Sequence, residues 1–280
     1  MRHNLFLGVA TLVLGLTGSA MAGVVVTSTH NAFDGKPPGV ATTYVETDRL
    51  KTVDPDAIMI FRGDLGRTWQ IDPGRGVYME MTAETLQRMS SQMAGMSAQM
   101  AAAQAQLQAR MAQMPPEQRA AMQQMLAGRG LGGAAGAGGP PAEAKGTYTK
   151  TGQSKTIGNW RCDVYRYAVN GDTREDLCLA PIASVGLTAA DFQVLERLSA
   201  FMQPIMSSPM VPKNSFMNWN EMNKSIGFQG VPLETTSYAG SGPSMQQTVT
   251  KIERTAIPAN TFDLPSGLTK REIPMGPPGR

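Results

Sequence analysis

The chain has 280 residues, 25 basic and 22 acidic side chains and a formal net charge of +3. A balance so close to neutral excludes a polyanion-binding role, so no nucleic acid is expected as a partner. With 41% hydrophobic residues and long Gly/Ala/Pro-rich stretches, the length supports one core of roughly 200 packed residues rather than two domains.

The first 22 residues read as a secretory signal peptide. Arg2 and His3 precede a weakly polar to apolar run from Leu5 to Leu16, and Ala20-Met21-Ala22 supplies small residues at both recognition positions of a cleavage site before Gly23. The run is too short to span a bilayer, which takes roughly twenty apolar residues, and no later segment is long and apolar enough. No cysteine stands at the cleavage point to accept a lipid. The mature protein is therefore expected to be periplasmic or secreted, with membrane contact at most peripheral.

Thr42 to Val53 alternates as a strand. Ala57 to Arg62, Arg67 to Ile71 and Gly76 to Met81 then form three short runs, separated by Gly63-Asp64-Leu65-Gly66 and Asp72-Pro73-Gly74-Arg75. Both separators are turn chemistry, so the runs predict an antiparallel meander. Thr82 offers an N-cap with Glu84 in the first turn. Ten of the twenty methionines lie between Met79 and Met125, and Leu86, Met89, Met93, Met96, Met100, Leu107 and Met114 recur at the three- and four-residue steps of one helical face. Pro115-Pro116 ends that helix, and a second short one reaches Gly128, giving a helical insertion over 82–127. Residues 128–144 are almost entirely Gly, Ala and Pro and read as a flexible linker.

Cys162 and Cys178 flank Asn170-Gly171-Asp172, a turn that accepts positive φ, between the strand-like runs 160–169 and 173–180. The turn lies midway between the cysteines, which brings both sulfurs opposite each other to within one residue of register. A disulfide across the hairpin follows in an oxidising compartment. Thr188 and Asp191 form a capping-box-like start to a helix bearing Phe192, Leu195, Leu198, Phe201 and Met202, which Pro204 is expected to end. Phe216, Met217, Trp219 and Met222 mark a short helix or flap. Strands over 231–238 and 245–255 close the fold, ahead of a disordered tail over 271–280. The expected fold class is α+β: a curved antiparallel sheet or half-barrel of about eight to ten strands covered by two amphipathic helices, in a single domain over 23–270.

Tyr44-Val45-Glu46-Thr47-Asp48-Arg49-Leu50, Ile60-Phe61-Arg62-Gly63-Asp64, Trp69-Gln70-Ile71-Asp72-Pro73 and Tyr78-Met79-Glu80-Met81-Thr82 resemble motifs of an uncharacterised family of exported bacterial proteins. So do Trp160, Cys162 and Tyr165, the stretch from Leu187 to Phe192, and Phe262-Asp263-Leu264-Pro265-Ser266-Gly267-Leu268. Members of that family are in turn similar to the lipoprotein-carrier superfamily. The resemblance implies a half-barrel holding apolar material beneath a helical lid.

An enzyme is not expected. His30 is the single histidine of the mature chain, and no nucleophile motif, metal-spaced cluster or convincing carboxylate pair accompanies it. No cofactor and no metal site are expected. The functional reading is a cavity for a lipid, an acyl chain or a lipidated protein. Ile58, Ile60, Trp69, Ile71 and Tyr78 would form its wall, and Met89, Met93, Met96, Met100, Phe192 and Phe201 its roof, the thioethers adapting to varied chains. Two alternatives stand beside it: copper handling through the methionine thioethers, and a partner-binding envelope scaffold with a filled core.

Overall fold

Turn chemistry sets most strand boundaries in the computed structural model, which describes residues 22–115, 117–118, 146–207, 219–240 and 242–272. The strands are β1 (Ala22–Asn31), β2 (Gly39–Val45), β3 (Arg49–Val53), β4 (Ile58–Arg62), β5 (Arg67–Asp72), β6 (Val77–Thr82), β7 (Gly146–Ile157), β8 (Trp160–Val169), β9 (Asp172–Pro181), β10 (Gly230–Ala239), β11 (Gly242–Ala256) and β12 (Thr269–Arg271). Three helices are described: α1 (Ala83–Ala112), α2 (Gln193–Met206) and α3 (Trp219–Ile226). The expected meander over 57–81 forms as β4, β5 and β6. The signal peptide, the second short helix, the linker over 128–144 and the residues Phe216 and Met217 lie outside the described residues or almost wholly so.

All twelve strands join one sheet in the order β12-β6-β5-β4-β3-β2-β1-β11-β10-β9-β8-β7. Every pairing is antiparallel except that of β12 with β6. The count exceeds the expected eight to ten for identifiable reasons. Thr42 to Val53 is two strands, because Glu46-Thr47-Asp48 turns the chain: the Glu46 N–H donates to the Arg49 carbonyl at 2.9 Å and the Arg49 guanidinium pairs with the Glu46 carboxylate at 2.6 Å. β1 is a central strand between β2 and β11, and its His30 pairs across to Gly39 and Gln247. β7 is largely exposed and too polar to announce itself. Arg271, assigned by the sequence to a disordered tail, ends β12; Glu272 follows it, and 273–280 lie outside the described residues.

Curvature is visible in one ion pair. Lys155 on β7 reaches Glu234 on β10, although two strands lie between them and a flat sheet would separate β7 from β10 by about 14 Å. Lys155 is paired with Cys162, and Glu234 with Cys178. The Cys162–Cys178 disulfide, with Cα atoms 5.3 Å apart, therefore spans the same two inner strands as the ion pair. It runs diagonally, two residues off register, because Cys178 pairs with Val164. A shift between Tyr167 and Ala168 in the β8–β9 ladder moves the register from the symmetric one the turn implies.

The helical starts follow the expected capping. The Thr82 hydroxyl accepts from the Thr85 N–H at 3.2 Å to open α1. Asp191 accepts from the Thr188 N–H at 2.7 Å and from its hydroxyl at 2.8 Å, opening a 3-10 turn over Ala189–Phe192 that runs into α2. Pro204 does not end α2 at once: the helix continues two residues to Met206, although the proline has no N–H to give to the carbonyl four residues back.

Candidate functional site

β4 opens Ile58-Met59-Ile60-Phe61, apolar at each of these four positions before Arg62, so both of its faces can pack against a core. On one face Phe61 and Leu50 pack with Val194 of α2, with Val45, Met59, Leu195, Leu198 and Phe201 around them. The Phe61 and Phe201 rings lie 5.6 Å apart. α2 packs along α1, whose first turns rest on β6; Leu86 there is fully buried. This is the lid face: α2 covers it directly and α1 packs beside α2, over the β3–β6 third of the twelve-stranded sheet.

On the opposite face Ile58, Ile60, Trp69, Ile71 and Tyr78 pack with Ile257, Phe262, Leu264 and Leu268. The C-terminal segment crosses that face as a strap. The Lys51 ammonium donates to the Thr261 carbonyl at 2.9 Å, and burial pushes that lysine below its ordinary range. Arg62 joins Asp64 at 2.6 Å and Asp263 at 3.2 Å, and the Arg49 guanidinium sits 5.3 Å from the centre of the Phe262 ring. At the sheet edge Lys270 of β12 meets Glu80 at 2.6 Å, while Arg67 and the Trp69 indole N–H donate to the other oxygen of Glu80 at 2.9 and 3.2 Å. The hydrogen bond from Lys270 holds the Glu80 carboxyl below its usual value, against the opposing effect of burial.

The expected chamber wall is thus corrected. Ile58, Ile60, Trp69, Ile71 and Tyr78 lie together, but beneath the strap and not beneath the lid, because strand residues alternate between faces. The lid meets the other set, Leu50, Met59 and Phe61, which the sequence left unassigned. Of the expected roof, Phe201 reaches Phe61. Phe192 packs with the core around the disulfide, which also contains Val24, Val164, Val185, Leu187 and Leu233. Met89 and Met93 are half-buried, whereas Met96 is 43% and Met100 66% exposed. A signal that would have identified Phe61 is its place opposite Thr68 in the β4–β5 pairing, since Thr68 and Gln70 mark the face that Trp69 and Ile71 do not use.

The other end of the sheet carries its own cover. Met222 of α3 is fully buried against Tyr165, Leu177 and Leu179, with Tyr148, Tyr167, Ile226 and Phe228 at the margin. Nearby on β9, burial raises the Glu175 carboxyl above its ordinary value, outweighing a hydrogen bond from Ser237. Among the described residues, an open cleft of about 530 Å³ lies at the hairpin tips, lined by Arg166, Asp172, Thr173, Arg174 and Tyr238, and another of about 520 Å³ runs along Glu84, Gln87, Arg88, Ser91 and Gln92 of α1. Neither is lined by the buried residues of the lid interface. Among the described residues no group of three or more His, Cys, Asp or Glu side chains is placed to hold a metal ion, and no helix is long and apolar enough to cross a membrane.

No protein-family model matches the chain, and no curated protein does. Solved structures with a similar chain course include PNGF-II, at 9% identity and a TM-score of 0.36, over 91% of this chain and 31% of that one. The chain thus spans about a third of that structure's length. A domain from Vibrio parahaemolyticus assigned as an outer membrane lipoprotein-sorting protein is 8% identical with a TM-score of 0.30, over 88% of this chain and 91% of that one. A LolA superfamily protein from Nitrosomonas europaea gives 8% and 0.27, over the same shares. With identities of 8–9% and TM-scores of 0.27–0.36, these are likenesses of chain course alone.

Proposed function

We propose that this is an exported, non-enzymatic protein that binds an apolar group, a lipid acyl chain or the acyl moiety of a lipidated protein, at the interface between the α1–α2 lid and the β3–β6 third of the sheet. One observation supports this above the others: over the first four turns of α1 the apolar row passes from buried to exposed, before Leu107 and Met111 return it to partial and then full burial. Leu86 is 0% exposed, Met89 and Met93 are half-buried, and Met96 and Met100 are 43% and 66% exposed. Thioethers so arranged form a continuous apolar track from solvent to the buried lid interface, and methionine adapts its shape to what it meets. Entry parts α1 and α2 from Leu50, Met59 and Phe61, and burial of the acyl chain at roughly 25 cal/mol per Å² supplies the affinity. The chemistry is non-covalent. The disulfide fits an oxidising compartment.

Native mass spectrometry of the mature protein, released gently from its own cell envelope, tests the reading. A mass increment matching an acyl lipid, lost in a Met93→Ser/Met96→Ser/Met100→Ser variant, is the expected result. A bare polypeptide mass from wild type, together with no displacement of a fluorescent apolar reporter by added lipid, overturns it.

A further inference from the structure

Thr68 is 1% exposed, and its hydroxyl has no hydrogen-bond partner. It stands directly opposite Phe61 on β4 and Met81 on β6, so its side chain shares their face. That face carries Val194 and Phe201 of the lid. On the strap side of the sheet the Trp69 N–H and the Arg67 guanidinium both find Glu80, and the Arg49 Nε, which also lacks a hydrogen-bond partner, lies 3.5 Å from the Asp48 carboxylate. A buried hydroxyl without a partner is disfavoured, and native structures keep few of them. A threonine in this place gains nothing over the isosteric valine unless something brings an acceptor to it.

We infer that Thr68 is the polar anchor of the lid site, donating its hydroxyl to the carbonyl oxygen of an acyl ester or amide whose chain lies against Phe61, Met59 and Leu50. The inference rests on the apolar-binding reading above and narrows its ligand class from apolar matter in general to carbonyl-headed acyl chains. An acyl chain presents one strong acceptor at the end of a hydrocarbon run, which matches one unpartnered donor in an apolar wall. A plain hydrocarbon leaves the hydroxyl as it is.

Displacement of a fluorescent phenylnaphthylamine reporter by methyl decanoate and by an alkane of equal length, in wild type and in Thr68→Val and Thr68→Ser, tests this. Wild type and Thr68→Ser are expected to bind the ester about tenfold more tightly than the alkane, as one added hydrogen bond to an otherwise unsatisfied donor implies. Thr68→Val should bind both equally, keep or improve its alkane affinity, and melt no lower than wild type. Equal discrimination in Thr68→Val, or its destabilisation through loss of a buried water, overturns the anchor while leaving apolar binding intact. Failure of both ligands to displace the reporter from wild type overturns the apolar-binding reading and the anchor with it. A diacylated lipopeptide and a short-chain phospholipid in the same assay separate the two sources of the acyl group.

Discussion

Ile60 and Phe61 are consecutive in the chain, each at most 1% exposed, and they are buried in different cores. Ile60 lies with Phe262 beneath the C-terminal strap. Phe61 lies with Val194 and Phe201 beneath the lid. The β3–β6 third of the sheet is therefore the middle layer of three.

The layering makes mutational effects separable. Phe61→Leu and Phe262→Leu should each destabilise by about 1–2 kcal/mol in urea melts. The double variant should show their sum to within about 0.5 kcal/mol, since the two rings share no layer. Phe61→Leu with Phe201→Leu should instead depart from additivity, because those rings are in contact at 5.6 Å.

The disulfide closes a separation of 16 residues. Replacing Cys162 and Cys178 by Ala should cost about 3 kcal/mol. Lys155→Met should change stability by less than about 1 kcal/mol in the oxidised protein, because the Lys155–Glu234 pair is partly exposed. Thermal melts of the three proteins check both statements.

Acid should loosen the strap. The hydrogen bond from Lys270, with help from Trp69 and Arg67, lowers the Glu80 pKa from 4.5, so the stabilisation is complete above that value and is lost as the pH falls through the lower folded value. With Trp160 and Trp219 replaced by Phe, Trp69 emission should change over that acid range. Glu80→Gln should abolish that transition, and an unchanged transition in Glu80→Gln would assign it to another group.

Glu175 works in the opposite sense. Burial raises its pKa above 4.5, so it disfavours the folded state as pH rises through the interval between 4.5 and the folded value. Glu175→Gln should therefore melt higher than wild type at neutral pH, and the gain should vanish well below pH 4.5. Differential scanning calorimetry at the two pH values measures both.

Local chemistry alone determined much of this molecule. The turns at 63–66, 73–76 and 170–171, the caps at Thr82 and Thr188 and the pairing of Cys162 with Cys178 depend on residues close in sequence, where φ preferences and short hydrogen bonds decide the outcome. The face that meets the lid could not be read the same way. Ile58-Met59-Ile60-Phe61 is apolar throughout, so a period of two has no contrast from which to choose an inward side. That choice waited on two distant segments, 193–206 and 257–271, each docking on one side of β4. The central place of β1 and the edge pairing of β12 have the same origin: they join residues more than 180 positions apart, and contacts of that range are settled by the packing of the whole sheet, which no local pattern encodes.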